Sequence, residues 1–106
     1  MTNAVFMPYV LAFNRPAIET KIARLAAYLG LPASFDAFQA WILDLRKALS
    51  VPHTLAGLKV DDAHFDLMSD MAVKDPTAGG NPIPLDTATC RRLLQDALDG
   101  RLAYPA

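Results

Sequence analysis

A run of ten residues at positions 4–13, AVFMPYVLAF, carries no charged side chain. It is too short to cross a bilayer, which takes about 20 residues, so it predicts a core segment that is buried on all sides. Pro8 lacks a backbone N–H and disfavours helix in the residue before it. The run is therefore a helix that is kinked or begins near Pro8, or a strand at a sheet edge. We predict a helix, against which each later amphipathic segment packs one face.

The residue counts favour helix for the rest of the chain as well. Alanine and leucine number 18 and 15, against five valines and four isoleucines. Alanine and leucine are strong helix formers, whereas strands are enriched in β-branched residues. The 106 residues contain no repeat, low-complexity tract or linker. We therefore predict an all-α helical bundle that forms a single domain over residues 1–106.

Local signals set the predicted helix bounds. Asn14 can cap a second helix that carries Pro16 in its first turn and ends at Gly30, and Ser34 and Asp86 can cap later helices. The segment DPTAGGNPIP before the last helix is rich in proline and glycine and predicts a turn-rich loop. The predicted helices lie near residues 4–13, 16–29, 35–49, 62–74 and 87–99.

The balance of apolar and charged residues predicts how these helices are covered. Apolar residues make up 53% of the chain and charged residues 20%, which is more apolar than a lone domain needs. We predict that Trp41 and the helix line through Ile42 are buried against residues 4–13. We also predict a homo-oligomer that forms through the apolar surface left exposed.

Charge and cysteine content restrict the partners. Ten Lys and Arg are balanced by 11 Asp and Glu, and a net charge of -1 gives no attraction to nucleic acid. The single cysteine, Cys90, cannot form an internal disulfide, and the N-terminus lacks the basic region and cleavage site of a secretory signal. We therefore predict a cytoplasmic protein that binds neither nucleic acid nor membrane.

No residue pattern predicts a catalytic or metal site. His53 and His64 are the only histidines, and they lack both ligand spacing and a second cysteine for zinc. We interpret His53 as a hydrogen-bond donor in a loop and His64 as a surface residue. Cys90 lies on the apolar stripe of the last helix, where a thiol behaves as a small hydrophobe. Gly79 and Gly80 indicate a tight turn, since no phosphate-binding motif surrounds them.

Four stretches of the sequence resemble one known family. They are TNAVFMPYVLAFN at residues 2–14, KIARLAAYLG at 21–30, LRKALSVPHTLAGLKV at 45–60 and DPTAGGNPIPLD at 75–86. Together they resemble the C-terminal helical domain of the iron-containing, or group III, alcohol dehydrogenases, which have the dehydroquinate synthase-like fold. The most specific of them are the opening Asn-Ala run, the VPHTLAGL turn and the Asp-Pro-x-x-x-x-Asn-Pro loop.

In that family an N-terminal α/β domain binds NAD(P), and one aspartate and three histidines bind iron or zinc. The resemblance implies that this domain and all four metal ligands lie upstream, so that the chain has no catalytic, cofactor-binding or metal-binding residue of its own. Asn3 and Ala4 match a pair just past the metal-binding turn. Thr77 matches a loop position that faces the substrate pocket, and Ile83 stands where the family usually has arginine.

Two hypotheses remain for the function. In the first, the chain is the C-terminal domain of an NAD(P)-dependent alcohol dehydrogenase. It lines the substrate cleft and supports the metal site, while hydride passes between nicotinamide and the alcohol carbon. In the second, it is a stand-alone helical module from a truncated gene, which associates with itself or with a partner and has no catalysis. The isolated chain is not expected to be catalytic under either hypothesis.

Overall fold

The computed structural model describes residues 1–102, and within them the chain folds into four α-helices without a β-strand. Short 3-10 helices lie at Leu55–Leu58, before α3, and at Ala78–Gly80, before α4. The helix bounds are Thr2–Tyr28 for α1, Phe35–Ala48 for α2, Phe65–Lys74 for α3 and Thr87–Asp99 for α4. The prediction of an all-α fold is therefore confirmed.

The first helix corrects one sequence-based prediction. The sequence predicts separate helices at residues 4–13 and 16–29, with Asn14 as the cap of the second. This prediction is wrong, because α1 continues without interruption and contains both Pro8 and Pro16. Each proline removes one intrahelical hydrogen bond, which weakens a helix but does not end it where tertiary contacts compensate.

Two tertiary contacts lie near these prolines, and the first supplies a donor for the carbonyl that Pro8 leaves unpaired. Pro8 has no N–H to donate to the Ala4 carbonyl, and the guanidinium of Arg46 on α2 lies 3.4 Å from that oxygen. Asn14 does not cap a helix, because its side-chain amide is paired with that of Asn81 in the loop before α4. Both partners are distant in sequence, so the local signals at these prolines could not reveal them.

The larger hydrophobic cluster joins the first half of α1 to α3 and α4. Its buried members are Val5, Tyr9, Leu55, Phe65, Leu94 and Ala97. Two of them come from the apolar run at residues 4–13, which therefore lies in the core as predicted. The run is not enclosed on all sides, however, since Met7 is 39% exposed. One face of α1 packs inward here, while the opposite face meets solvent.

A smaller cluster joins α1 to α2. Its buried members are Ala26, Phe38 and Ile42, with Leu11, Ile22 and Leu31 packed against them. Ile42 is buried as predicted, and Leu11 of the run at residues 4–13 packs against the cluster to which Ile42 belongs. The prediction for Trp41 is wrong, because its side chain is 39% exposed. Among the helices of residues 1–102, α2 packs against α1 only, so just part of its apolar arc is covered.

Most helix ends follow the local signals. The Ser34 hydroxyl accepts a hydrogen bond from the Ala37 N–H at 3.0 Å, which caps α2, and Asp86 forms a capping box with Thr89 at the start of α4. Gly100 ends α4 with φ at 80°, a backbone conformation that glycine adopts without strain.

The third helix begins three residues later than predicted, at Phe65, with His64 at the N-cap position. Asp61 does not open the helix, because its carboxylate accepts a hydrogen bond from the Ala63 N–H at 3.0 Å and so forms a local turn. Within the part of the chain that the structure describes, no helix combines the length and apolarity needed to span a membrane.

Replacing Ile42 by alanine tests the smaller cluster. Ile42 is 7% exposed, so Ile42→Ala leaves a cavity between α1 and α2, and we expect a loss of about 2–5 kcal/mol in the free energy of unfolding. Leu45→Ala on the same helix is the matched control. Leu45 is 43% exposed, so this substitution should lower the free energy of unfolding by about 1 kcal/mol or less. Urea unfolding followed by circular dichroism measures both. Equal losses would contradict this description of the interface.

Candidate functional site

The loop between α3 and α4 carries Thr77, the residue for which the family resemblance implies a role at the substrate pocket. Thr77 is exposed, and both its N–H and its hydroxyl donate to one carboxylate oxygen of Asp75, at 2.8 and 2.6 Å. These hydrogen bonds, the one from the hydroxyl first, lower the pKa of Asp75 below its usual value. The Thr77 hydroxyl therefore has its proton engaged, while its oxygen can still accept a hydrogen bond from another group.

A pair of amides fastens this loop to the middle of α1. Asn14 donates to Asn81 at 2.9 Å and Asn81 donates back to Asn14 at 2.8 Å. Asn81 also donates to the carbonyl of Ile83 at 2.7 Å. Asn14 is 5% exposed, and a buried amide left unpaired would cost stability. The pair therefore fixes the position of the loop on the helix.

Asn3, the other residue singled out by the resemblance, lies exposed in the first turn of α1. At 1.5 Å per residue, the eleven residues from Asn3 to Asn14 correspond to about 16 Å along the helix. The loop of Thr77 is anchored at Asn14, so the two candidates lie toward different parts of α1. The contacts within residues 1–102 do not bring Asn3 and Thr77 together.

A buried arginine lies behind the first turn of α1. Arg46 of α2 is 6% exposed and donates to the carbonyl of Val5 at 2.9 Å and, more weakly, to that of Ala4 at 3.4 Å. Its other terminal nitrogen lies 2.7 Å from Nδ1 of His53. A guanidinium has only donors, so Nδ1 accepts here, which leaves the proton of a neutral His53 on Nε2. The predicted role of His53 as a donor in a loop is therefore not contradicted and stays a prediction.

Tyr9 completes this cluster. Its hydroxyl donates to the backbone carbonyl of His53, and the Arg46 guanidinium lies 5.9 Å from the centre of its ring. Burial raises the pKa of the Tyr9 phenol, and the nearby Arg46 cation opposes that shift. Every polar group in the cluster thus bonds to another part of the fold, so the cluster holds the end of α2 against the start of α1.

Sequence reasoning missed Arg46 because it is one of two basic residues at the end of an amphipathic helix, where a basic side chain is usually exposed. The available signal was Pro8: a proline inside a helical apolar run leaves a carbonyl four residues earlier without its donor. A cation on a neighbouring helix is a suitable replacement donor. The amide pair carried a weaker signal, an asparagine following an apolar helical run.

The remaining candidates do not form a reactive site. Cys90 is buried on α4, and burial, with a smaller effect of Asp86, raises the pKa of its thiol, so the nucleophilic thiolate is disfavoured. His64 is exposed at the start of α3. An open hollow of about 490 Å³ lies at the end of α2, and neither Thr77 nor Asn3 lines it; its lining consists of Leu43, Asp44, Arg46, Lys47, Ser50, Val51 and His53.

The same part of the chain does not fit a metal ion. Among residues 1–102, no three or more His, Cys, Asp or Glu side chains are grouped so that they could hold one. A catalytic metal site usually takes three protein ligands. The described residues therefore do not supply such a set of ligands by themselves.

The fold and the loop agree with a known family. Residues 1–98 match the Fe-containing alcohol dehydrogenase family, in its C-terminal part. The chain belongs to this family, and the resemblance seen in the four sequence stretches is confirmed. Members of the family use iron and NAD(P).

Several enzymes of known activity are similar to the chain. Maleylacetate reductase of Burkholderia cepacia is 33% identical over 98 residues, covering 92% of this chain and 26% of the relative. NADPH-dependent butanol dehydrogenase of Clostridium saccharobutylicum is 26% identical over 102 residues, covering 88% and 26%. 1,3-Propanediol dehydrogenase of Klebsiella pneumoniae is 34% identical over 90 residues, covering 77% and 23%. The chain thus spans about a quarter of the length of these relatives. Among solved structures, none matches the chain at a significant level.

The contact of Arg46 with α1 can be tested by a double-mutant cycle. Arg46→Met removes the donors to the Ala4 and Val5 carbonyls, and we expect a loss of about 1–3 kcal/mol. In a Pro8→Ala background the new N–H bonds to the Ala4 carbonyl. Arg46→Met should therefore lower the free energy of unfolding by less than it does in the original chain, the difference being about 0.5 kcal/mol or more. Urea unfolding of the four proteins gives the coupling energy.

The control for this cycle is Lys47→Met, an exposed position on the same helix. It should change the free energy of unfolding by about 0.5 kcal/mol or less in either background. Strictly additive effects of Arg46→Met and Pro8→Ala would show that the arginine does not replace the donor missing at Pro8.

Proposed function

We propose that this chain is the C-terminal helical domain of a larger two-domain, NAD(P)-dependent alcohol dehydrogenase of the iron-containing family. In the whole enzyme it lines the substrate cleft and supports the part that carries the metal. The reaction is hydride transfer between nicotinamide and an alcohol carbon, in which a bound metal polarises the oxygen. The relatives are named as reductases and dehydrogenases of small oxygenated compounds, which supports this reaction class.

The observation that carries the proposal is the match of residues 1–98 to the C-terminal part of this family. The distribution of possible metal ligands agrees with this proposal, because no three or more His, Cys, Asp or Glu side chains in residues 1–102 are grouped so that they could hold a metal ion. Metal and nucleotide would therefore be bound by the N-terminal domain and the helices that precede this segment. The free thiol of Cys90 supports a reducing compartment, and we propose a cytoplasmic location.

Two residues are proposed to serve the cleft. Thr77 would present its hydroxyl oxygen to the substrate pocket, which is supported by its exposure and by the loop that Asp75 and Asn81 hold in place. Asn3 would lie just past the metal-binding turn, which is supported by its exposed position in the first turn of α1. Neither residue is proposed to take part in bond making or breaking.

Calorimetric titration of the isolated chain tests the proposal. With ferrous ion, zinc ion, NADH and NADPH in turn, we expect no saturable binding at micromolar concentration, because a tight site needs several convergent ligands. One-to-one micromolar binding of any of them would contradict this division of roles. His53→Ala and His64→Ala variants would then be titrated first. In the family that the chain resembles, the last metal-binding histidine is followed by glycine, two variable residues and the Asn-Ala pair that Asn3 and Ala4 match. An in-frame His-Gly codon pair just before Met1 in the gene would therefore support the longer enzyme independently.

The second candidate function is a stand-alone module that self-associates as a homo-oligomer. The observation that favours it is a set of large, exposed apolar side chains, among them Tyr28 at 90%, Leu49 at 66% and Met71 at 64%. A monomer rarely leaves so much apolar surface in contact with water when it is contiguous. Light scattering of the chain at increasing concentration separates the candidates: a stable dimer at micromolar concentration favours the module, and a monomer favours the enzyme domain.

A further inference from the structure

We propose that an exposed line of apolar side chains, formed by Trp41 and Leu45 of α2 and by Leu49 directly after its last residue, is covered in the longer protein by the polypeptide that precedes Met1. These three residues are called the α2 face below. The inference rests on the proposed function, since it requires that the chain is part of a longer enzyme. It adds the particular surface through which this domain contacts the remainder of the enzyme.

The α2 face is a single line of large side chains. Its members are spaced four residues apart, so they lie one above another on the helix. Their exposed fractions are 39% for Trp41, 43% for Leu45 and 66% for Leu49. The Trp41 ring lies 5.9 Å from that of Phe38, which belongs to the buried cluster. The face is therefore a continuation of the core that nothing in residues 1–102 covers.

The packing of α2 explains why this face is open. Among the helices of residues 1–102, α2 packs against α1 only. The contact encloses Phe38 and Ile42 on one edge of its apolar arc, whereas the other edge, which carries the α2 face, has no partner helix. A helix buries its apolar stripe against neighbouring elements. Because the apolar arc of α2 is wider than its contact with α1 can cover, we expect a further element to pack against it.

The start of α1 lies beside the end of α2. Arg46 donates to the carbonyls of Val5 and Ala4, which places the end of α2 against the first turn of α1. A polypeptide that enters at Met1 therefore arrives near the end of α2, the part of the chain to which Leu45 and Leu49 belong. The chain spans about a quarter of the length of its relatives, so ample polypeptide is available to form the missing layer.

The size of the face favours this occupant over a second copy of the chain. At these exposed fractions each side chain presents on the order of 100 Å², whereas a stable interface between separate molecules buries about 800 Å² per partner. A segment of the same polypeptide can pack stably while burying a smaller area. Covalent linkage has already removed most of the translational freedom that separate molecules lose on association. A small apolar line is thus sufficient for a helix within one chain.

Thiol labelling compares the chain alone with a longer protein. In the longer protein, Met1 is joined to the part of Burkholderia cepacia maleylacetate reductase that precedes its match to this chain. Leu45→Cys reports on the α2 face, and Met71→Cys, on α3 and 64% exposed, is the matched control. Maleimide incorporation is quantified for each peptide by mass spectrometry, so that other cysteines do not interfere.

We expect Leu45→Cys to label about tenfold more slowly in the longer protein than in the chain alone, and Met71→Cys to label equally in both. Equal labelling of Leu45→Cys in both proteins would overturn the proposal, as would protection of Met71→Cys in place of Leu45→Cys. The NAD(P)H oxidation activity of the longer protein with ferrous ion is read separately. Protection without activity counts against the proposed function alone, and activity without protection counts against the covered face alone.

A measurement on the isolated chain does not depend on the folding of the fusion. Trp41 is the single tryptophan, so acrylamide quenching of its fluorescence reports directly on the α2 face. We expect the same strong quenching from low micromolar to submillimolar concentrations of the chain. Shielding that grows with concentration and is abolished by Leu45→Glu, but not by Met71→Glu, would show that a second copy covers the face and would overturn the proposal.

Discussion

The contact between Arg46 and the first turn of α1 is the interaction on which the arrangement of the helices depends. One guanidinium binds the carbonyls of Ala4 and Val5 and the imidazole of His53, so it joins the start of α1, the end of α2 and the segment that leads to α3. A buried cation is tolerated only where its donors are paired. Pro8 provides one acceptor, because it leaves a helix carbonyl without its usual N–H.

The uneven covering of the helices has a consequence for the role of the chain. The cluster between α1, α3 and α4 contains six buried residues, whereas the one between α1 and α2 contains three and leaves large side chains of both helices exposed. Although 53% of the residues are apolar, part of their surface thus stays exposed in this segment. Such a surface suits a domain that is completed by other parts of its protein.

Family membership and site geometry together indicate a division of roles. The chain belongs to an iron-containing dehydrogenase family, yet nothing within residues 1–102 is grouped to bind a metal. Its polar side chains serve the fold: the Asn14–Asn81 pair fixes a loop, and Asp75 orders Thr77. These hydrogen bonds keep the loop and its exposed threonine in a defined position on α1.

The sequence by itself determined the all-α class, the family and most helix ends. The helix ends were predictable because Ser34, Asp86 and Gly100 act through neighbours within about four residues. Only the tertiary structure decided that α1 continues through its prolines, that Arg46 is buried and that Trp41 is exposed. These outcomes depend on partners some 40 or more residues away, such as Val5 for Arg46. Periodicity identifies an apolar arc on a helix, but which part of that arc is covered depends on how many other elements pack against it.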